Sequence, residues 1–212
     1  MFATLIWQLS SDGELTALIV VASFSAGLNA YATVAMLGIL SRVGALVLPP
    51  SLHLVANPYV IGACAVLFVI EFVVDKIPVV DLLWNALQTF VRVPVAAVIA
   101  YGATSQLPQG EQLLATLLGA LIALAAHGGK VAARATVTHS PEPFSNILLS
   151  LGEDALVVFL TWLSTRHPYA SALVVAVLLL AILFAVRWVV RSMHRLFGDA
   201  SGELHSHHVG QP

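Results

Sequence analysis

TALIVVASFSAGLNAYATVAMLGIL, residues 16–40, holds no charged residue; the flanking charges are Glu14 and Arg42. A helix crosses a bilayer with about 20 mostly apolar residues, and this run is longer than that. In hydrocarbon every backbone N–H and C=O must be paired within its own segment, so the run reads as a transmembrane helix. The rest of the chain repeats the pattern. Of 212 residues, 59% are hydrophobic and 9% are charged, and the mean hydropathy is +0.93. A soluble domain of this size would not stay in solution with that composition. The expected fold is all-α integral membrane, with about six transmembrane helices.

Pro58 opens a second span at residues 58–74, with Glu71 still inside it. The segment from Asp75 to Asp81 is too charged for lipid, and the spacing of Val80, Leu83, Leu87 and Phe90 predicts a short interfacial or re-entrant helix after the second span. A third span follows at 93–104, short for a full crossing unless it borrows residues from the segment before it. The fourth runs from 112 through His127, and the paired Gly128-Gly129 permit a break before it continues to 136. A fifth covers 144–165, with Glu153 and Asp154 at its centre, and a sixth covers 169–190. Residues 1–197 thus form a single transmembrane domain, and the polar tail 198–212, with His205, His207 and His208, is expected to be disordered.

Residues 14–105 and 110–197 can be laid against each other as repeats. Ala26-Gly27-Leu28-Asn29 aligns with His127-Gly128-Gly129-Lys130, Asn57-Pro58-Tyr59 with Glu142-Pro143-Phe144, and Glu71 with Glu153. Three spans in each half would set the halves in opposite orientations, a 3+3 inverted repeat of the kind found in many transporters. Six spans put both termini on one side, and Arg187, Arg191 and Arg195 favour the cytoplasm for that side. No Lys or Arg precedes Arg42 to form the basic start of a signal peptide, so the first span is expected to be retained. The expected location is a bacterial inner membrane.

A charge in the bilayer core costs roughly 2.5 to 3.5 kcal/mol on insertion scales, so its first reading is functional, with a partner nearby. Glu153 and Asp154 are adjacent, so they point about 100° apart; one can pair with a base while the other faces a cavity. The candidate bases are Lys130 and Arg134, one turn apart, and Arg92. Glu71 and Asp75 share one helix face, beside Lys76 and short of Asp81. Brought together, Glu71, Asp75, Asp81, Glu153 and Asp154 against Lys76, Arg92, Lys130 and Arg134 could bind a cation or carry a proton. The alternative is a set of structural ion pairs holding the bundle together. His127 is a candidate proton relay or metal ligand, or a helix–helix hydrogen bonder. Asn29 and Asn146 are polar contacts in a pore or interhelical glue, and Gly27, Gly128 and Gly129 allow close packing. The histidines of the tail could chelate a divalent metal or be simply solvated.

Other classes are disfavoured. A net charge of -2 with scattered basic residues argues against nucleic acid as a partner. Cys64 is the only cysteine, so it has no internal disulfide partner and reads as a small buried hydrophobe. There is no G-x-S-x-G elbow, H-E-x-x-H zinc motif, Walker A loop or cysteine metal spacing, so neither an enzyme nor a cofactor is expected.

One combination of motifs resembles a known family. It joins Gly27-Leu28-Asn29-Ala30-Tyr31, the run from Glu71 through Asp75-Lys76-Ile77-Pro78 to Asp81, His127-Gly128-Gly129-Lys130 with Arg134, and Ser140-Pro141-Glu142-Pro143 leading through Asn146 to Glu153-Asp154. The pattern, over roughly residues 20–190, resembles the small polytopic membrane proteins of the domain of unknown function family 4126. That resemblance implies a membrane fold and no particular activity. The expected function is a transporter or channel-like protein for a small solute or ion. Its rivals are a membrane scaffold or accessory subunit, and a lipid-handling protein whose Lys130, Arg134 and Arg92 bind lipid phosphate. The expected partners are the lipid bilayer, the solute or ion, and a second copy in a homodimer, since six spans of this size enclose little volume.

Overall fold

The computed structural model describes residues 2–137 and 143–208. Among them there are only helices, connected by short turns. They are α1 (Phe2–Leu28), α2 (Ala30–Arg42), a 3-10 helix (Pro50–Ala56), α3 (Pro58–Val74), α4 (Pro78–Ala103), α5 (Gln109–Val137), α6 (Pro143–Arg166) and α7 (Pro168–His208). Four helical stretches are long and apolar enough to cross a membrane: Leu83–Ala103, Gln109–Arg134, Ile147–Arg166 and Pro168–Trp188. A fifth arises if the 3-10 helix and α3, bent by 58° at Asn57, count as one span. These are the helices of an integral membrane protein, and they carry Leu, Val, Phe and Trp side chains on their outer faces.

The count of about six spans expected from hydropathy is not reproduced, since four stretches of the described residues qualify, or five with the bent pair. The run 16–40 is cut at Asn29, whose extended backbone (φ -152°, ψ 103°) ends α1 and starts α2. A hydropathy scan cannot register that break, because one asparagine barely lowers the average of so apolar a window. The short interfacial helix expected after the second span is absent as a separate element. Pro78 stands at a first helical position, where its missing N–H is not needed, and α4 then runs unbroken through Pro94 to Ala103. Gly128-Gly129 cause no break either, since α5 continues to Val137. The last helix is described to His208. The side chains of Asp81, Asn146, His205, His207 and His208 lie outside the description.

α1 is the axis of the bundle. It packs against α4, α5, α6 and α7, and residues 21–30 are buried without exception. A helix surrounded on every side needs small side chains where neighbours cross, and Ala22, Ser23, Ser25, Ala26, Gly27 and Ala30 supply them. The core around it joins Val21, Phe24 and Leu28 to Ala126, Val157, Leu160 and Val175. Gly27 marks the tightest crossing. A Cβ there would clash with the Ala123 carbonyl oxygen and sit 2.8 Å from the Ala123 Cα, main-chain atoms of α5 that cannot swing aside. A Cβ on Gly128 would meet nothing within 4 Å.

The two glycines should therefore respond oppositely to alanine. Gly27→Ala should cost about 1–3 kcal/mol by forcing α1 and α5 apart. Gly128→Ala should be neutral or stabilising by roughly 0.5–1 kcal/mol, the ordinary gain of a helical Gly→Ala change. Thermal unfolding in detergent checks both; equal midpoints for the two variants would contradict the crossing.

Candidate functional site

The break at Asn29 frees two backbone groups inside the bundle, and both find partners. In an uninterrupted helix the Leu28 carbonyl would accept from the Ala32 N–H. Here the Ala32 N–H donates instead to Asn29 Oδ1 at 2.9 Å, an N-cap for α2. The Leu28 carbonyl accepts from Lys130 Nζ at 3.2 Å. With Asn29 Oδ1 held by the cap, the amide turns its NH2 outward and donates to Asp154 Oδ1 at 3.0 Å. The electron-rich end of α1 thus meets an ammonium, and the electron-poor start of α2 meets a carboxylate through one amide.

Lys130 is the hub of a larger network. Its ammonium lies 3.7 Å from Glu71 Oε1, 3.3 Å from Asp75 Oδ2 and 3.3 Å from Glu153 Oε2. Arg134, one turn further along α5, bridges two of these three carboxylates, 2.7 Å to Asp75 and 2.8 Å to Glu153. Arg92 on α4 pairs with Glu71 Oε1. All of these residues are buried, Arg92 and Glu71 completely. Three bases from two helices therefore hold Glu71 and Asp75 at the end of α3 and Glu153 on α6. The spacing argument for residues 153 and 154 holds in space: Glu153 pairs with the bases, while Asp154 has no base within salt-bridge distance among the described residues and accepts only from Asn29.

His127 completes the arrangement in one protonation state. Arg92 Nη1 lies 2.7 Å from His127 Nδ1, and a guanidinium can only donate, so Nδ1 accepts. The ring proton then sits on Nε2, which donates to Thr89 Oγ1 at 2.8 Å. Thr89 donates onward to the Asn85 carbonyl at 3.3 Å, and Arg92 Nη1 donates to Asn85 Oδ1 at 3.3 Å. A neutral imidazole with both nitrogens committed positions Arg92; it offers no lone pair to a metal.

Of the residues expected to carry chemistry, Glu71, Asp75, Glu153, Asp154, Arg92, Lys130, Arg134, Asn29 and His127 come together. Lys76 stands apart from the ion pairs: its ammonium donates to the Phe72 carbonyl at 2.6 Å and lies over the Phe72 ring. Asp81 and Asn146 cannot be placed against the network, because their side chains are outside the description. Asn85 and Thr89 were missed, as was Gln88, which donates to the Tyr31 hydroxyl at 3.3 Å. With Arg92 they stand at i, i+3, i+4 and i+7, one inward face of α4. That stripe was there to be found, but an interfacial helix is free to be polar, and the segment had been assigned to one.

Removing the hub should be costly. Lys130→Met leaves three carboxylates sharing two guanidiniums, and breaking a buried pair from one side typically costs about 3–5 kcal/mol. The double variant Lys130→Met/Glu153→Gln should lose less than the sum of the single variants, with a coupling of about 0.5–3 kcal/mol. Denaturation of the four proteins in one detergent measures it; strict additivity would show that the two groups do not interact.

No curated protein and no solved structure matches the chain. The family model described as a domain of unknown function, DUF4126, matches residues 16–188, from the start of the axial run to the end of the apolar part of α7. That span contains every residue of the network, and the chain belongs to the DUF4126 family.

Proposed function

We propose that this protein is a membrane transporter or channel-like protein for a small solute or ion, with the buried carboxylate cluster as its cation or proton site. The observation that carries the reading is the helix break at Asn29, whose two ends meet Lys130 and Asp154 inside the bundle. Discontinuous helices of this kind supply ion and substrate sites in many secondary transporters, because they bring backbone poles and charged side chains to one buried point. The amide of Asn29 ties the conformation of the break to the state of a carboxylate, which is a means of coupling an ion to a movement of α1 against α2. The excess of basic residues at the end of α7 supports a cytoplasmic location for the termini.

A second reading is a scaffold or accessory subunit, and the closed pairing of Glu71, Asp75 and Glu153 with Arg92, Lys130 and Arg134 favours it. Binding of lipid phosphate has less support, since those three bases are buried and already engaged by carboxylates. Purified protein reconstituted into liposomes separates the readings. Under the transport reading, flux of a panel of small ions and solutes exceeds that of empty vesicles and is lost in Glu71→Gln, Glu153→Gln and Asp154→Asn variants that retain wild-type helicity. Flux unchanged in all three variants, or no flux in the wild type together with loss of helix packing in the variants, would overturn it in favour of the scaffold.

A further inference from the structure

We infer that Asp154 alone among the paired and unpaired carboxylates of the network takes up and releases a proton, through Oδ2. This rests on the transport reading of the same cluster and names its coupling ion. Among the described residues, Glu71, Asp75 and Glu153 face Arg92, Lys130 and Arg134, three carboxylates against three bases. Among the described residues, protonating any of the three would leave two carboxylates to balance three buried bases. Asp154 is the fourth carboxylate, and its closest partner is a neutral amide. It is 6% exposed, and Oδ2 is buried with no hydrogen-bond partner among the described residues.

The charged groups facing Asp154 come from three elements. They are Lys130 on α5, Asp75 and Lys76 at the end of α3, and Glu153 beside it on α6. The break contributes only the Asn29 amide, and α7 carries no charged residue between Pro168 and Val186. Lys130 is shared among three other carboxylates, and Lys76 is bound to its own helix end. Either state of Asp154 is therefore tolerable: ionised, it has Asn29 and the distant ammoniums; protonated, it leaves the remaining charges balanced. The Asn29 contact is kept in both states but is stronger to the ionised one, because Oδ1 accepts whether or not Oδ2 carries a hydrogen and a carboxylate accepts more strongly than a carboxylic acid.

The surroundings select a proton over a metal ion. A dehydrated cation needs several oxygen ligands; Ca²⁺, for instance, takes 6–8. Asp154 offers one uncommitted oxygen, at the edge of an apolar groove of about 550 Å³ lined by Leu151, Ala155, Val158, Phe159 and Trp162. Among the described residues no three His, Cys, Asp or Glu side chains are grouped to hold a metal ion. Ser150, one turn earlier on α6 and fully buried, adds only a hydroxyl.

A lipid-soluble carbodiimide tests this directly, since it modifies carboxyl groups in their protonated form. The acid O–H proton passes to a carbodiimide nitrogen while the carboxyl oxygen bonds to the central carbon, and the adduct rearranges to a stable acylurea. Full-length protein in lipid nanodiscs is treated with dicyclohexylcarbodiimide across a pH series, and the peptides are mapped by mass spectrometry. The expected result is labelling at Asp154 that rises several-fold as pH falls, with little at Glu71, Asp75 or Glu153. The wild type carries the test, so it does not depend on a variant folding; Asp154→Asn should abolish the label where helicity is retained. Labelling of the other three to the same extent, or none at Asp154 at any pH, would overturn the inference. Flux with Asp154 unlabelled removes the proton role and leaves transport standing. A pH-dependent label in a protein without flux removes transport and leaves the titrating carboxylate.

Discussion

The Lys130 ammonium, held between Glu71, Asp75 and Glu153 and the Leu28 carbonyl, is the interaction on which the rest of the bundle depends. It ties α5 to the axial helix, to the end of α3 and to α6 at one point. In water such pairs contribute little, because solvent screens them. In a buried setting the charges cannot be left single, so the geometry that satisfies one constrains all the others. Arg92 shows how far the constraint spreads: it is held by Glu71, Asn85 and a histidine whose tautomer it dictates, and that histidine is held by Thr89. Five helices are thus registered against one another by polar contacts, while apolar packing, which tolerates sliding, fills the space between them.

The break at Asn29 is the second half of the same device. An interrupted helix leaves a carbonyl and an N–H without their intrahelical partners, which would be costly in a bundle closed to water. The Asn29 side chain takes the N–H by capping α2 while displaying its NH2 to Asp154, and Lys130 takes the orphaned carbonyl. The break and the charge network are mutually dependent: without the discontinuity Lys130 would lose an acceptor, and without Lys130 and Asp154 the discontinuity would be left exposed to apolar neighbours.

Which parts of this were legible in sequence follows from the physics each part uses. Burial cost is a property of single residues, so Glu71, Glu153, Asp154 and the bases at 92, 130 and 134 could be singled out from residue type and apolar context. Helical spacing placed Lys130 and Arg134 on one face and separated Glu153 from Asp154. The break could not be read, because an asparagine in an apolar run is compatible with a continuous helix; what decides is whether neighbouring helices supply partners for the freed groups. Asp75 to Asp81 looked too charged for a helix in lipid, but Asp75 lies before α4, at the end of α3, where Lys130 and Arg134 compensate it, and Pro78 then starts a helix that continues to Ala103. The possible duplication of a three-helix unit finds no counterpart in the break, since α5 is continuous where its proposed match is divided.

The distribution of the network along the chain also bears on how the protein is made. α3 emerges from the ribosome with Glu71 and Asp75 before any of their three bases has been synthesised. After α5, three bases face two acids, and only α6, with Glu153, brings them into balance. At roughly 2.5 to 3.5 kcal/mol for each unmatched charge at the centre of a bilayer, the intermediate helices gain little by entering lipid one at a time. Insertion in groups, with α3 entering lipid together with α5 and α6, would keep these charges matched at every stage.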